Sequence, residues 1–491
     1  MSICKEILIN ITPQETRVAL LENGMLHELY IERSRSRGLV SNVYKGKVVR
    51  VLPGMEAAFI EIGLERAAFL HVSDMAGYKK QNVNDDTVEQ PPQIGQLLRE
   101  GQSLLVQVIK DPLGSKGARL TTNITIPSRY LVFMPNSENI GVSSRIEDEA
   151  ERERLKSILL SQEGLKKGVG YILRTAAEVA SADSIARDIN YLNRQWEHIN
   201  SASDVQAGNV VHKDLPLYLR TLRDMVDDDL EKIRVDSRET YCAMLEFAGT
   251  YVPEVEEKIE HYPGERPIFD LHGIEDEIHK GLDRKVHLKS GGYLIFDQTE
   301  AMTTVDVNTG AYVGSRNLEE TIFKTNLEAA QAIARQLRLR NLGGIIILDF
   351  IDMAEDEHKR QVIRALEKAL DKDHARTHVC EVSSLGLVEM TRKRTRESLE
   401  HVLCGTCPTC DGRGSVKTAE TVCYEIFREI LREARQFDAK ELLVLASQEV
   451  VDLLVDEESA SLAELEDFID TPIRFQAETM YTQEQYDVVI V

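Results

Sequence analysis

The sequence predicts an α/β protein of several domains, with a small β-barrel near the N-terminus and an α/β sheet in the second half. Three observations carry this. The chain has 491 residues, and single cores stop growing at roughly 250–300. Five short strand-like runs crowd into residues 39–128. Further on, an alternating strand, a long amphipathic helix and an apolar run ending in Asp349 follow one another as strand, helix and strand.

Composition narrows the class. Hydrophobic residues make up 42% and charged residues 29%, as in an ordinary globular chain. The longest apolar runs, such as Ile345–Leu348, are far too short to span a bilayer, so no membrane partner is expected. The start, MSICKEILIN, lacks the basic, apolar and small-residue order of an export signal. Seven cysteines (Cys4, Cys242, Cys380, Cys404, Cys407, Cys410 and Cys423) form no disulfide framework. A reducing cytoplasm is expected, where clustered thiols more often bind metal. The net charge of −23 argues, taken whole, against a nucleic-acid partner. Its distribution does not: residues 39–128 hold 10 basic and 9 acidic side chains, and 281–403 hold 18 and 19, whereas 419–491 hold 5 and 18. The first two segments are near neutral and leave room for a basic face.

The elements follow in order. Alternating runs flank Asn23-Gly24, a strong hairpin signal. The basic loop RSRSRG (Arg33, Arg35, Arg37) comes next. The runs VYKGKVVRVL, MEAAFIEIG, RAAFLHVSD, SLLVQVIKD and ARLTTNI then give five strands, with a polar, Pro-containing loop at 80–98. This fits an OB-type barrel. The spacing of Gly46, Val48, Phe59, Gly63, Phe69, Leu70, His71 and Ser73 resembles the S1-motif family of RNA-binding OB-folds. In such a barrel Phe59 and Phe69 would stack bases, and Lys110 and Lys116 would meet the backbone. The bland alternative is that both Phe side chains are core.

Residues 147–160 and 182–206 read as helices, with a strand-like 168–173 between them. Arg174-Thr175 follows that strand. A Thr cap beside an Arg suits a phosphate, but most such pairs are a cap and a surface charge. Residues 217–235 and 238–248 read as helical, and His272 and His279 as structural residues sharing a helix face.

The chemistry concentrates between 291 and 353. In Thr304-Val305-Asp306-Val307-Asn308, strict alternation points Asp306 and Asn308 to one face. A helix is expected over 318–340, ended by Asn341-Leu342-Gly343-Gly344. The continuous run Ile345–Leu348 reads as a strand covered on both faces. Strand, helix, strand implies a parallel crossover, with Asp306 and Asp349 at the carboxyl ends, where α/β sheets place ligands. Two such carboxylates are what a Mg²⁺ site needs, with Asn308 holding water or a phosphate oxygen. The bland alternative is a capping role, preferred for Asp352. The run Thr391–Arg396 offers either charge for phosphates or a solvated face. Finally, CGTCPTCDGRG at 404–414 holds three cysteines at three-residue spacing. It looks like half of a four-ligand zinc site, with no second half elsewhere in the chain.

The order of OB-type barrel, TTVDVNTG, LEAAQAIARQLRLRNLGGIIILDFIDM and CPTCDGRG resembles the ribonuclease E/G family over nearly the whole chain. The length resembles the family's short branch rather than the branch that continues into a disordered scaffold. The resemblance implies a single-strand-specific endoribonuclease acting on AU-rich RNA and leaving a 5′-monophosphate and a 3′-hydroxyl. It implies maturation of the 16S ribosomal RNA 5′ end and message turnover. Its two Mg²⁺ aspartates fall on Asp306 and Asp349, its asparagine on Asn308, and its 5′-monophosphate sensor on Arg174 and Thr175. It implies an RNase H-like piece (1–38 and 218–281) split around an S1-motif domain (39–128) and a 5′-sensor (129–217). A DNase I-like catalytic region (282–403), a zinc link (404–418) and a small α/β domain (419–491) follow. One Zn²⁺ would be held by two cysteines from each of two chains, giving a homodimer or a higher oligomer. CPTC matches the motif, so Cys407 and Cys410 are the expected pair, with Cys404/Cys407 the alternative. DNA is not an expected partner. The rival readings are a non-catalytic RNA-binding adaptor, a zinc scaffold, and a long-branch catalytic half that has lost its tail.

Overall fold

The computed structural model describes residues 4–76, 93–112, 117–146, 148–178, 180–201, 206–227, 229–310, 318–394, 396–437 and 440–491. The chain divides into two units, Met1–Leu399 and Glu400–Val491.

In the first unit, strands Lys5–Ile11, Glu15–Glu22 and Met25–Arg33 form an antiparallel meander. Asn23 (φ 51°) and Gly24 (φ 76°) both take the left-handed conformation that a two-residue hairpin needs. On the far edge Leu230–Val235 pairs in parallel with Lys5–Ile11, and Ile259–His261 pairs with Leu230–Val235. This corrects the helical reading of 217–235: the helix stops at Asp224 and a strand begins at Leu230. Leu230, Ile233 and Val235 are buried against the sheet's helices, so tertiary pairing overrides the local charge pattern. His272 and His279 do not share a helix either. His272 ends the short turn Ile268–Leu271, and Gly273 (φ 65°) breaks the chain before Ile274–Leu282.

The second sheet is a closed barrel. Strand Val43–Leu52 pairs with Ser103–Lys110 along its first half and with Ala57–Glu61 along its second. Ala68–His71 and Arg119–Thr121 complete the ring. A Cβ on Gly46 would lie 2.5 Å from Ile60 Cγ2, so the strand can cross the packed interior only as glycine. Much of the polar loop at 80–98 lies outside the described residues. The third sheet sets Gly170–Leu173 between Leu131–Met134 and Ile140–Val142. Helices Glu149–Leu160 and Ala182–Ser201 cover its core of Phe133, Tyr171 and Leu173.

The fourth sheet runs Lys285–His287, Tyr293–Gln298, Met302–Asn308, Gly344–Asp349, Leu387–Arg392, Thr377–Val382. Its one parallel pair is Met302–Asn308 with Gly344–Asp349, joined through helix Leu318–Leu339. That helix and Asp356–Leu370 bury Ala329, Ile333, Leu337, Val362 and Leu366 against Val305, Val307, Ile346 and Leu348. Both helices lie on the same face. Ile345 is 48% exposed on the other, so the run Ile345–Leu348 is covered on one face, not two.

Helix Leu318–Leu339 also touches the first sheet. Arg338 is buried and bonds Glu28 through Nε (3.0 Å) and Nη2 (2.7 Å), and Glu22 through Nη1 (2.8 Å). Burial pushes the Glu28 carboxyl up, but the Arg338 charge and the Tyr30 hydroxyl outweigh it and bring it down to about 2. In the second unit, Leu442–Ala446 lies between Ile473–Ala477 (parallel) and Tyr486–Ile490 (antiparallel). Helices Ala419–Gln436, Gln448–Val455 and Ser459–Ile469 surround a core including Val422, Ile426, Ile430 and Val444.

Removing Arg338 strands two buried carboxylates. Arg338→Ala is expected to destabilise the first unit by roughly 3–5 kcal/mol, read from its chemical denaturation transition. The lowered Glu28 carboxyl adds stability that is full above its unfolded value of roughly 4.3 and fades as pH falls towards about 2. The loss of stability over that acid window, measured by denaturation at stepped pH, is expected to shrink in Arg338→Ala.

Candidate metal centre and nucleic-acid interface

The fourth sheet positions the acids by register. Asp306 lies directly opposite Asp349 across the parallel pair. Along Met302–Asn308, Thr303, Val305 and Val307 point into the core while Asp306 and Asn308 face outwards. The same alternation turns Asp349 out and Leu348 in. Both carboxylates therefore stand on the open face, and Asn308 Nδ2 donates to Asp306 Oδ2 (2.8 Å). Gly310 (φ 59°) turns the chain next to this strand end, where a Cβ would lie 2.4 Å from the Gly291 carbonyl oxygen.

The segment after Asp349 is gripped by the crossover helix. Buried Asn326 donates to the Ile351 carbonyl (2.8 Å) and accepts from its N–H (3.1 Å). Glu319 accepts from the N–H groups of Ala354 (3.1 Å) and Glu355 (3.4 Å). Glu319 thus takes the role expected of Asp352, which is exposed. Burial, then the charges of Asp306 and Asp352, push the Asp349 carboxyl up. A dication would relieve that repulsion. Its donors would all be oxygen, the set that Mg²⁺ selects, so Asp306 and Asp349 fit the ion. Asn326, Glu319 and the exposure of Asp352 were not legible in sequence, because each depends on how the helix returns over the sheet.

The run Thr391–Arg396 is largely structural. Arg392 is buried, bonds Asp373 (2.6 and 3.0 Å) and donates to the Leu342 carbonyl (2.8 Å). Arg396 donates to the Leu29 carbonyl (2.6 Å) and lies 3.6 Å from the Tyr30 ring centroid. Lys393 and Arg394 remain exposed.

On the barrel, Phe59 and Phe69 are opposite each other in register. Ala58, Ile60, Ala68 and Leu70 fill the interior, and the two rings turn outwards, half-buried and edge-to-face at 6.3 Å. They are not core residues. His71 continues the aromatic row, 6.3 Å from Phe69. Lys110 is exposed at a strand end and opposes Arg119. Arg119 also pairs with Phe69 in register, and its guanidinium is held by Asp74 (2.8 Å). Lys116 lies outside the described residues.

Arg174 Nη1 donates to the Ser128 carbonyl (2.6 Å) and to Asp224 Oδ1 (2.8 Å). Thr175 opens a three-residue 3₁₀ turn, not an α-helix, which begins only at Ala182. The helix-cap reading of Thr175 is therefore wrong, and its exposed hydroxyl lies 3.3 Å from Ser143 Oγ. In the second unit Cys404 and Cys407 are exposed and Cys410 is half-buried. N–H groups of Cys410 and Thr409 hold the Cys407 thiol below its ordinary range, favouring the thiolate that zinc takes. Among the described residues the one His/Cys/Asp/Glu trio with ligand atoms within 4.8 Å of one another is Cys4, Glu6 and Glu231. The three thiols of 404–410 are not such a trio, and the Cys407 and Cys410 side chains interact with each other.

Residues 125–395 match the model of the "Ribonuclease E/G family", and 406–490 match "RNase E/G, Thioredoxin-like domain". The chain is 57% identical over 488 residues to "Ribonuclease G" of Escherichia coli (strain K12), covering 99% of each. It is 52% identical to "Ribonuclease G" of Haemophilus influenzae, again over 99% of each. Against "Ribonuclease E" of Escherichia coli (strain K12) it is 37% identical over 470 residues, 94% of this chain and 44% of that one. Family model and near-complete alignment together show that the chain belongs to the ribonuclease E/G family.

Proposed function

We propose that this endoribonuclease cuts single-stranded, AU-rich RNA by Mg²⁺-dependent hydrolysis, is stimulated by a 5′-monophosphate, and leaves a 5′-monophosphate and a 3′-hydroxyl. The observation that carries the reading is the register of Asp306 against Asp349 on the open face. Mg²⁺ bound there would polarise the scissile phosphate and lower the pKa of water. Asp306 and Asp349 hold the ion, and the Asn308 amide orients Asp306 and the incoming oxygen. Phe59 and Phe69 stack bases while Lys110 and Lys116 meet phosphates. Arg174 and Thr175 take the 5′-phosphate. The relatives' names, "Ribonuclease G" and "Ribonuclease E", support the substrate class. Roles in 16S ribosomal RNA maturation and message turnover follow from the family reading.

In the same reading the first sheet is an RNase H-like piece split around the S1-motif barrel and the 5′-sensor, and the fourth sheet is the DNase I-like catalytic region. Cys407 and Cys410 join the same residues of a second copy on one Zn²⁺, at the start of the segment that matches the thioredoxin-like domain. In the same reading the enzyme acts in the cytoplasm.

Cleavage of an AU-rich oligonucleotide tests the centre. Asp306→Asn and Asp349→Asn are each expected to slow it by at least about a hundredfold with the fold retained by circular dichroism. Undiminished cleavage by both would sink the metal assignment. Wild type is expected to favour a 5′-monophosphate over a 5′-triphosphate, and Arg174→Ala to lose that preference. Phe59→Ala or Phe69→Ala is expected to weaken RNA binding by roughly 1–3 kcal/mol with thermal stability little changed, because both rings are half-exposed. Zinc chelation, or Cys407→Ser with Cys410→Ser, is expected to give monomers by light scattering; persistence of the dimer would refute the clasp.

A further inference from the structure

The open face of the fourth sheet carries more than the acids. Lys285 opposes Ile295, and Ile295 opposes Asp306. Lys285, Ile295, Asp306 and Asp349 therefore form one cross-strand row, with side chains on the same face. One step along, His287 opposes Tyr293, and Tyr293 opposes Asn308. Tyr293 is half-buried, Lys285 and His287 are exposed, and the Lys285 ammonium lies 3.8 Å from the centroid of the Tyr293 ring.

The way Lys285 is held is informative. Arg284, its neighbour, is bound to both oxygens of Asp297 (2.5 and 2.7 Å), so its charge is already matched. Among the described residues no carboxylate lies within 4.0 Å of the Lys285 ammonium. It rests instead on an aromatic face, which limits its rotamers and leaves its donors directed at solvent. This occurs in a chain of net charge −23, beside two acids that repel a polyanion. Adjacent strands lie about 4.8 Å apart, so Lys285 stands roughly 10 Å from Asp306 by backbone position. A long side chain leaning along the face brings its charge to within about one nucleotide step of the acids.

We propose that Lys285, held over Tyr293, binds a backbone phosphate of the substrate RNA next to the scissile one. Its charge would act alongside the ion held by Asp306 and Asp349 in drawing in the strand, and Tyr293 sets its position. The contact is to phosphate, so it is independent of base sequence. The inference rests on the reading of Asp306 and Asp349 as the cleavage centre.

The test is binding, measured without cleavage, using a 2′-O-methyl single-stranded oligonucleotide titrated at several salt concentrations. Loss of one phosphate contact lowers the slope of log K against log salt by about 0.7 for single strands. Lys285→Ala is expected to show that drop and a severalfold weaker affinity, equal for U-rich and A-rich oligonucleotides. Lys285→Arg is expected to restore both. Tyr293→Phe is expected to behave as wild type, whereas Tyr293→Ser is expected to weaken binding. Replacing single phosphates by neutral methylphosphonates locates the contact: one position beside the cleavage site is expected to weaken wild type and leave Lys285→Ala unaffected. An unchanged salt slope in Lys285→Ala, or additive losses at every methylphosphonate position, would overturn the proposal. Failure of the cleavage-centre reading is seen separately, as undiminished cleavage by Asp306→Asn and Asp349→Asn.

Discussion

The parallel pairing of Met302–Asn308 with Gly344–Asp349 is the constraint on which the rest depends. A strand has a side-chain period of two, so a slip of one residue would turn Asp306 into the core and bring Val305 or Val307 out. The slip is opposed by burial. Val305, Val307, Ile346 and Leu348 are all at most 5% exposed beneath the two covering helices. Burying each such side chain contributes about 1.5–3 kcal/mol, so the apolar half of the strand holds the acidic half in place. The connecting helix adds to this at both ends. Asn341 (φ 48°) ends it in the left-handed conformation, with the Leu342 N–H donating to the Leu337 carbonyl (3.0 Å). Near its start, Glu319 and Asn326 clasp the segment that leaves Asp349.

The same helix links the acidic face to the rest of the first unit. Arg338 enters a pair of buried carboxylates on the N-terminal meander, and Arg396 rests on Tyr30 of the same meander. Buried ion pairs are poor sources of net stability but costly to break, which suits them to fixing one arrangement of sheets. Arg145, from the third sheet's side, donates to the carbonyl of His374 in the loop before Thr377–Val382. The sheet bearing the acids is thus bonded to both the N-terminal meander and the region of Arg174.

Much of this was legible in the sequence where a periodic pattern and a turn signal agreed. Asn23-Gly24, the alternation through Asp306 and Asn308, and the amphipathic stripe of 318–340 all led to the observed elements. The readings failed where a distant partner decides. Residues 230–235 become a strand because Lys5–Ile11 offers an edge, which no local window contains. Ile345 is exposed because both covering helices lie on one face, a choice invisible in the apolar run itself. Thr175 opens a 3₁₀ turn because the long helix starts only at Ala182. At the site, residue types were legible but support was not. Asn326 and Glu319 take their meaning from backbone groups 25 and 35 residues away, and Lys285 from a ring across a hairpin. The charge of the whole chain was a poor guide as well, since its acidity lies largely outside the two segments that face RNA in this reading.

The central claim is that Asp306 and Asp349 together make one divalent-cation site. Titration of the protein with Mn²⁺, a Mg²⁺ surrogate whose free-ion paramagnetic resonance signal is lost on binding, tests it without any RNA. The account predicts a site in the wild type that Mg²⁺ displaces, and its loss in both Asp306→Asn and Asp349→Asn. Equal Mn²⁺ binding by wild type and the two variants would contradict it.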